Sequence, residues 1–299
     1  MTKKKDALEE LTQEAQNLGL YDDDKTIRVL DKGFVRLVDS MGDDSAIVQA
    51  ARVSYGKGTK KLSEDKGLIR YLIRNKHTTP LEMVSFKFHV RAPLFVVRQW
   101  QRHRMWSYNE MSGRYSEMPK DCYVPKAEHI TTQDPNNKQG GSNIQVKDPQ
   151  QVQTVMKESQ ILMHTEYEDF LADDVRRELA RINLPLAQYS EMYGKTDLHN
   201  LFHFLRLRMD SHAQFEIREY ANALYELIKP IVPFAAEAFE EYYLNSVTFN
   251  QKDLELLYHL VLQDEEKLRE EAEKLFDNKR EKSESIAKIL NIFDSSDQS

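Results

Sequence analysis

The sequence predicts an α+β fold, with a mixed or antiparallel sheet, surrounding helices and a largely helical C-terminal half. Two observations predict it. Short segments rich in β-branched and aromatic residues, bounded by turn residues, lie between residues 27 and 91. After residue 151, apolar side chains recur mainly at helical spacing. Strands that precede a run of helices, instead of alternating with them, are typical of α+β proteins.

The first strands are predicted to form a hairpin. Residues 27–30 and 34–38 are rich in Ile, Val, Leu and Phe, and they flank the turn segment 31–33, which ends in glycine. A further strand is predicted at residues 85–91, where Phe and Val alternate with polar side chains, because a half-buried strand exposes every second residue. Pro93 then suits the first turn of a helix.

Helices are predicted between these strands and throughout the second half. Asp43 and Asp44 are suited to cap a helix that ends near Val53. A second helix is indicated by apolar residues at helical spacing, Leu68, Ile69, Leu72 and Ile73. In the second half, helical patterns cover residues 151–171, 175–183, 198–209, 213–228 and 234–244.

The chain is predicted to consist of one main domain with an extension at each end. Residues 1–26 are a polar extension with a short amphipathic pattern at 8–18, and residues 27–244 form the main domain. Within it, residues 128–150 are polar and contain Asn-Asn and Gly-Gly pairs, which favours a long surface loop inserted into the domain. Residues 245–299 are rich in Glu, Lys and Leu, which indicates charged helices and a frayed end from about residue 294.

Composition limits the class of protein. No apolar run approaches the roughly 20 residues that span a bilayer, so we expect no membrane segment. The single cysteine, Cys122, cannot form an intramolecular disulfide, and the N-terminus lacks an apolar signal segment, which agrees with a cytoplasmic location. A net charge of -7 argues against a general nucleic-acid binder. No metal site is predicted.

One short segment is cationic within this acidic chain. Its basic residues are opposed by one carboxylate, Glu110, and they are Arg98, Arg102, His103, Arg104 and Arg114. Arginine offers paired donors to phosphate, and Ser112 and the backbone at Gly113 add neutral donors, so the segment is a candidate phosphate site. Ion pairs on a helix and an ordinary turn explain the same residues equally well.

Two further arginines occur downstream. Arg181 precedes Asn183 and a Leu-Pro pair, and Arg208 lies in a predicted helix dense in Leu and Phe. A partly buried guanidinium needs an anion or hydrogen-bond acceptors, which a ligand or an internal carboxylate supplies. From the residues alone, the internal salt bridge is the favoured interpretation.

A resemblance changes these odds. The segment 102–112 contains Arg-His-Arg, seven further residues and a serine, and Gly-Arg-Tyr-Ser follows it. This pattern resembles the signature of the flavin-dependent thymidylate synthases. Other segments match that family in order: residues 51–54, 77–82, 98–100, 178–181, 184–185 and 210–214. The resemblance covers about residues 27–243.

The resemblance implies a set of cofactor residues. Family members hold FAD at the Arg-His-Arg segment, so Arg102, His103 and Arg104 are expected to contact FAD, and His77 is expected near flavin and folate. The other FAD residues implied are Thr79, Glu110, Asp197, Leu198, His199 and His203. At Asp197, relatives often have Asn, and the acidic residue lacks the amide donor.

It also implies the substrate residues. For dUMP these are Gln99, Trp100, Gln101, Arg102, Glu110, Met111, Ser112, Gly113, Arg114, Arg181 and Arg208. The resemblance implies that Ser112, Gly113 and Arg114 hold the phosphate. Ser112 is assigned this role instead of that of a nucleophile because no His–Asp pair is readable beside it. Arg208 is the expected catalytic residue, since a cation near the pyrimidine stabilises negative charge that develops on it.

The resemblance implies the reaction as well. Such enzymes methylate dUMP to dTMP with methylenetetrahydrofolate as the carbon donor, reduced FAD as the hydride donor and NADPH as the reductant of the flavin. They are homotetramers whose active sites are shared between subunits. We therefore expect dUMP, folate and NADPH as partners, and neither nucleic acid nor membrane.

Several alternatives stay open at this point. Ordinary packing is the alternative explanation for His103. For the residues from His77 to Thr79, the alternative to a flavin or folate contact is a simple capping turn before a helix. A cysteine-dependent thymidylate synthase would need Cys122, which lacks the expected surroundings. A single-strand-binding module would use the arginines with Trp100, Trp106 and Tyr108 as stacking surfaces. A non-catalytic relative with altered flavin contacts is the third alternative.

Overall fold

The computed structural model of the chain describes residues 25–53, 62–135, 139–251, 265–276 and 278–294. The chain divides into two compact units, Met1–Asn245 and Ser246–Ser299. The amphipathic pattern predicted at residues 8–18, and Ser54 of the family resemblance, lie outside the described residues. Every candidate site residue belongs to the first unit.

A five-stranded antiparallel sheet organises the first unit. Its spatial order is β1-β2-β3-β7-β4. The strands are β1 Thr26–Val29, β2 Gly33–Met41, β3 Ser85–Pro93, β4 Ser107–Glu110 and β7 Tyr189–Asp197. A separate ribbon pairs β5, Thr131–Gln133, with β6, Gly141–Gln145. Of the two arrangements that the sequence predicts for the sheet, the antiparallel one is confirmed.

Helices of the first unit follow the predicted order. They are α1 Asp44–Arg52, α2 Leu62–Arg74, α3 Leu94–Trp100, α4 Pro149–Ala172, α5 Arg177–Ala180, α6 Leu198–Arg208, α7 Phe215–Ile228 and α8 Pro233–Phe239. Short 3₁₀ turns cover Thr79–Met83, Ala127–His129 and Arg181–Asn183, and a π turn covers Glu240–Leu244. In the second unit lie α9, Glu265–Leu275, and α10, Lys279–Asp294.

The core lies between one face of the sheet and the helices. Phe86, Phe88 and Val90 of β3 are fully buried, as the predicted alternation requires, but the alternation fails at His89, which is buried although it was predicted on the polar face. Trp100, at the end of α3, packs against Trp106 and Phe204 with ring centroids 5.7 and 4.9 Å away. This aromatic cluster lies directly beneath the cationic segment.

One buried carboxylate links two helices across the core. Asp44, in the first turn of α1, accepts hydrogen bonds from the backbone N–H groups of Phe234 and Ala235 at 2.7 and 3.1 Å. These are orphan donors at the start of α8, so Asp44 caps a helix that is remote in sequence. Asp43 caps α1 itself, as the sequence predicts, by accepting from Ser45 N at 2.8 Å.

The structure differs from the sequence prediction in three places. The segment predicted as a long surface loop, residues 128–150, contains the β5–β6 ribbon and part of a 3₁₀ turn. Pro93 ends β3 and occupies the N-cap of α3 instead of its first turn. Strands β4 and β7 were not predicted. The buried face of β7 carries Ser190, Gly194 and Thr196, so its apolar period is weak.

Candidate active site

The cationic segment turns back over the sheet between α3 and β4. The His103 N–H donates to Trp100 O at 2.9 Å, and the Tyr108 hydroxyl donates to Trp100 O at 3.1 Å and to His103 O at 2.9 Å. Trp106 packs on Gly194 of β7, where a Cβ would approach its ring to 3.2 Å. A side chain at position 194 would push Trp106 outward by a few tenths of an ångström, so glycine favours this close approach of the turn to the sheet.

A cavity of about 830 Å³ opens between this turn and α6. Its lining residues are Arg102, His103, Arg104, Met105, Trp106, Asn200, His203, Leu207 and Arg208. The whole Arg-His-Arg segment thus shares one cavity with Arg208 and His203, as the family resemblance implies. Asn200, Met105 and Leu207 were not among the predicted site residues. They are ordinary helix and turn residues with no distinctive sequence signal.

Arg208 contacts His103 within this cavity. Nε of Arg208 donates to Nε2 of His103 at 3.1 Å, and Nη2 donates to the backbone oxygen of Gln99 at 3.4 Å. Burial, Arg208 and His203 lower the pKa of His103 to about 4. His103 is therefore neutral at pH 7, and its Nε2 is available as an acceptor.

The charge of Arg208 is not neutralised by the described part of the chain. No carboxylate of the described residues lies within ion-pair distance of its guanidinium. Burial and the nearby Arg102 lower the pKa of Arg208, yet an arginine stays protonated at neutral pH. The internal salt bridge favoured from the residues alone is therefore wrong for Arg208. Its acceptors within the chain are His103 Nε2 and the Gln99 backbone oxygen, and the guanidinium also lines the cavity, where an electron-rich ligand can meet it.

A second cationic group forms beyond β4. The Ser112 hydroxyl oxygen accepts from the Arg114 N–H at 3.3 Å, which closes a tight turn around Gly113. A Cβ at Gly113 would lie 2.6 Å from Met118 Sδ and 3.0 Å from Arg181 Cδ, so Arg181 packs against this turn. Ser112, Gly113, Arg114 and Arg181 therefore meet, although 67 positions separate the last two.

Arg114 is shared with a carboxylate of α5. Its Nη2 lies 3.3 Å from Glu178 Oε2, and its side chain is 59% exposed. For Arg114, the ordinary ion pair that the sequence left open is present. An exposed pair of this kind contributes little stability, so a ligand that competes for Arg114 loses little by breaking it.

Glu110 holds the end of β4. Its Oε2 accepts from Gln101 Nε2 at 3.1 Å, and its Oε1 accepts from the Ser190 hydroxyl at 2.8 Å. Both oxygens are therefore engaged within the chain. Glu110 is the last residue of β4, so it directly precedes the turn at Ser112, whereas the Arg-His-Arg segment precedes the first residue of the strand; the two cationic groups therefore adjoin opposite ends of β4.

Several predicted site residues face elsewhere. The side chains of Trp100 and Leu198 are fully buried in the core, so neither indole nor isobutyl group reaches the cavity. Asp197 is the N-cap of α6, where its carboxylate accepts from Asn200 N at 2.9 Å and from Asn200 Nδ2 at 2.7 Å. The carboxylate at this position thus has a structural partner, and an amide donor is not needed for capping.

The remaining predicted residues are exposed, line a second pocket or bond through the backbone. His77 is exposed and packs edge-on against Tyr71 at 5.8 Å. Thr79 is exposed and begins a 3₁₀ turn with Thr78 at its N-cap and proline in its first turn, so the segment does start a helical turn, although Thr78 makes no side-chain capping hydrogen bond. His199 and His203 line a neighbouring pocket of about 340 Å³. Met111 donates its N–H to Glu191 O at 2.8 Å.

Comparison with known proteins agrees with this geometry. Residues 36–234 match the family model described as thymidylate synthase complementing protein. A flavin-dependent thymidylate synthase of Treponema denticola is 52% identical over 242 residues, which cover 80% of this chain and 90% of the relative. The chain belongs to the flavin-dependent thymidylate synthase family. The predicted family, and with it a methyltransferase that makes thymidylate, is confirmed.

Further relatives support the assignment. The flavin-dependent thymidylate synthase of Wolbachia pipientis wMel is 50% identical over 244 residues, which cover 81% of this chain and 84% of that protein. A solved structure of the UMP/dUMP methylase PolB from Streptomyces cacaoi, bound with 5-Br dUMP, has a TM-score of 0.67 and 35% sequence identity. It covers 73% of this chain and 98% of its own. Along the described residues, no helix is long and apolar enough to cross a membrane.

Proposed function

We propose that this flavin-dependent thymidylate synthase converts dUMP to dTMP with FAD as the flavin, methylenetetrahydrofolate as the carbon donor and NADPH as the reductant. The observation that carries the proposal is the Arg208 guanidinium in the 830 Å³ cavity. It is oriented by a neutral His103 and has no carboxylate partner among the described residues. A cation presented in this way suits a pyrimidine that becomes negatively charged during reaction.

The residues of the cavity fit FAD. Arg102 and Arg104 supply always-charged donors for a diphosphate, and His203 and Asn200 add polar groups on α6. Met105 and Leu207 offer apolar surface for a flat ring. Reduced flavin, when bound, supplies a hydride, and the protein supplies position and electric field.

The catalytic role of the chain's own residues is electrostatic. Hydride addition at C6 of the pyrimidine leaves negative charge on the ring and its carbonyl oxygens. Arg208 stabilises that charge from a partly buried position, where a cation acts more strongly than in water. His103 accepts from Nε of Arg208 without adding a competing positive charge, so the guanidinium is held in one orientation.

The group beyond β4 is proposed to bind the phosphate of dUMP. The Ser112 hydroxyl oxygen accepts from Arg114 N, so its own O–H stays available as a donor. Arg181 and Arg114 add cationic donors on either side of Gly113. Gly113 permits close approach of the backbone to an anion.

The placement of these groups at opposite ends of one strand supports active sites that are shared between subunits. Within one chain, the second cationic group and Arg208 adjoin opposite ends of β4. In the homotetramer that we propose, the second cationic group of one subunit, which binds the phosphate of dUMP, supplements the Arg208 cavity of a neighbouring subunit. Alternate contributions of this kind explain why both groups are cationic and only partly covered within one chain. The predicted cytoplasmic location remains part of the proposal.

An assay for product tests the function. The purified protein is expected to show a flavin absorbance spectrum that NADPH bleaches anaerobically. Addition of methylenetetrahydrofolate is then expected to release tritium from [5-³H]dUMP, because the methyl group replaces the hydrogen at C5. A colourless protein that takes up no added FAD and releases no tritium would refute the proposal. Bound FAD without tritium release would leave only the non-catalytic alternative.

A further inference from the structure

A second cavity lies in the first unit, and it shares no lining residue with the Arg208 cavity. Its volume is about 610 Å³, and it is bounded by α4, by the turn between β1 and β2 and by the segment 120–126. This volume is within the range of small-molecule sites. The proposed reaction uses none of its residues.

The charge of this second cavity is positive. Its lining contains more lysines than carboxylates: Lys32, Lys120, Lys126 and Lys157 against Asp31 and Glu168. Both carboxylates are engaged within the chain, because Asp31 Oδ1 accepts from the Tyr189 hydroxyl at 2.5 Å and Glu168 forms an ion pair with Lys120. The cavity is therefore cationic within an acidic chain, and such a local field attracts a small anion.

Two of these lysines have no close partner in the described part of the chain. Lys32 Nζ lies 3.1 Å from Asp121 Oδ1, outside the cavity lining. By contrast, Lys157 is exposed on α4, and no described carboxylate lies within ion-pair distance of it. Lys126 is 79% exposed, and its Nζ is 3.9 Å from Glu128 Oε1. An exposed pair as long as this holds the charge weakly, so Lys126 and Lys157 are available to a ligand.

A buried histidine adds a polar group to the cavity wall. The side chain of His164 is 9% exposed, and Glu168 Oε1 lies 4.0 Å from its Nε2, beyond hydrogen-bond distance. Among the described residues, its ring makes no hydrogen bond. Burial lowers the pKa of His164, so the ring is neutral at pH 7 and keeps one N–H donor. Buried donors usually have a partner, and a ligand in the cavity supplies one.

Two glutamines of α4 add acceptors to the same wall. Nε2 of Gln153 donates to Pro125 O at 2.7 Å, and Nε2 of Gln160 donates to Tyr123 O at 3.0 Å. These bonds fix both amides, and their Oε1 atoms have no partner among the described residues. An amide oxygen accepts from a hydroxyl group. The wall therefore suits a ligand that carries hydroxyl groups as well as negative charge.

We propose that this cavity is a second ligand site, which binds a small phosphorylated molecule with a hydroxylated body, such as a sugar phosphate. Lysine ammonium groups hold the phosphate as point charges, and Lys157 and Lys126 are free to do so. His164 donates a hydrogen bond, and the oxygens of Gln153 and Gln160 accept from hydroxyl groups. Lys157 and His164 are seven residues apart on α4, so two helical turns bring them to one face.

Calorimetric titration of the FAD-loaded, dUMP-saturated protein tests this site, with ribose 5-phosphate as the probe. FAD and dUMP occupy the Arg208 cavity and the phosphate turn, so further binding reports a separate site. The wild type is expected to bind one ribose 5-phosphate per subunit. Ribose, which lacks the phosphate, is expected to bind at least about 10-fold more weakly, because it forms no hydrogen bonds to charged groups.

Three variants locate the binding. Lys157→Gln removes the unpaired cation, so the dissociation constant for ribose 5-phosphate is expected to rise about 10-fold. His164→Phe keeps an aromatic ring beside Tyr167 but removes the buried donor, and a smaller rise is expected. Lys147→Gln is the matched control, because Lys147 is exposed, precedes α4 and does not line the cavity. Its dissociation constant is expected to equal that of the wild type.

Three outcomes would overturn the inference. These are a wild type that binds no ribose 5-phosphate, equal affinity for ribose, and equal effects of Lys157→Gln and Lys147→Gln, which would indicate general attraction by the surface. Each of them leaves the proposed function intact if dUMP is still converted. A wild type that neither binds nor methylates dUMP, but binds ribose 5-phosphate through Lys157, would overturn the proposed function and support the second site.

Discussion

Nε of Arg208 donates a 3.1 Å hydrogen bond to Nε2 of His103, so the two conspicuous basic residues of the cavity act as donor and acceptor instead of as two cations. The contact requires His103 to be neutral with its proton on Nδ1. It explains why a histidine stands between the two arginines of the Arg-His-Arg segment. A third fixed cation would repel Arg208, whereas a neutral imidazole orients it.

The His103 contact predicts a specific dependence of stability on pH. Because the folded pKa of about 4 lies below the unfolded value of about 6.5, only the unfolded chain binds this proton between those limits. The contribution of His103 is therefore constant above pH 6.5, and stability falls as the pH falls from 6.5 toward 4. At pH 5 the loss is at most about 2 kcal/mol.

His103→Gln isolates this contribution, since an amide oxygen can accept from Arg208 without titrating. The melting temperatures of wild type and variant are compared at pH 7.5 and pH 5. The wild type is expected to lose several degrees more than His103→Gln over this interval. Equal losses in the two proteins would show that His103 is not the group that titrates.

Gly113→Ala is predicted to weaken dUMP binding through Arg181. The added methyl would lie 2.6 Å from Met118 Sδ and 3.0 Å from Arg181 Cδ, so Met118 must shift and Arg181 must give way by a few tenths of an ångström. The dissociation constant for dUMP is expected to rise about 10-fold or more, which corresponds to about 1.4 kcal/mol. Arg181→Gln is expected to give a similar rise by removing the charge.

Gly67→Ala serves as the matched control for the methyl group. Gly67 lies in α2, and a Cβ there meets no atom within 4 Å. This substitution is expected to leave the dissociation constant for dUMP unchanged, and an alanine within a helix adds stability. If both Gly113→Ala and Arg181→Gln bind dUMP with wild-type affinity, the phosphate of dUMP does not bind at this turn.

Mixed tetramers test whether the active sites are shared. Arg208→Ala and Arg181→Gln are each expected to lower activity strongly as pure proteins. If the two groups of one site come from different subunits, co-expression of the variants restores some sites in which both groups are intact. Activity above the sum of the separate variants is expected in tritium release. No gain in verified mixed tetramers would place both groups in the same subunit.

Cys122→Ala is predicted to retain full turnover. Burial raises the pKa of the Cys122 thiol, so little thiolate is present at neutral pH, and Cys122 lines neither the Arg208 cavity nor the phosphate turn. Tritium release is expected to stay within about twofold of wild type. Its abolition in a folded, flavin-loaded variant would indicate a cysteine-dependent reaction.

The sequence predicts most elements whose signal is local. The hairpin at Gly33 and the helix capped by Asp43 lie where the patterns place them. Strand β7 escapes prediction because its buried face holds Ser190, Gly194 and Thr196, which contact Glu110, Trp106 and Met105, respectively, from the segment that contains β4. These small residues pack against a segment that is distant in sequence, so a short window of sequence does not reveal the strand.

For the candidate site, prediction depended on the family signature. It brings together Arg102, His103, Arg104 and Arg208, and the cavity contains all four. The sequence could not show that His103 accepts from Arg208, because a hydrogen-bond direction depends on burial and distance. Nor could it show that the side chains of Trp100 and Leu198 turn into the core, although residues on either side of both are at least partly exposed.

The most direct test of the account is the rate at which reduced flavin is reoxidised by dUMP and methylenetetrahydrofolate. It is measured anaerobically by stopped flow in the wild type, Arg208→Lys, Arg208→Ala and Arg218→Ala. Arg218 is the control, because its guanidinium donates to Ser211 O at 3.0 Å and lies outside the residues that line the cavity. The account predicts that Arg208→Lys slows reoxidation by about 100-fold or more while dUMP still binds. A lysine lacks the planar, forked guanidinium that contacts His103 and the Gln99 backbone oxygen together and that places the charge at the ring. Arg218→Ala is expected to react at the wild-type rate. Wild-type reoxidation in Arg208→Lys and Arg208→Ala alike would contradict the claim that this guanidinium stabilises the reacting pyrimidine.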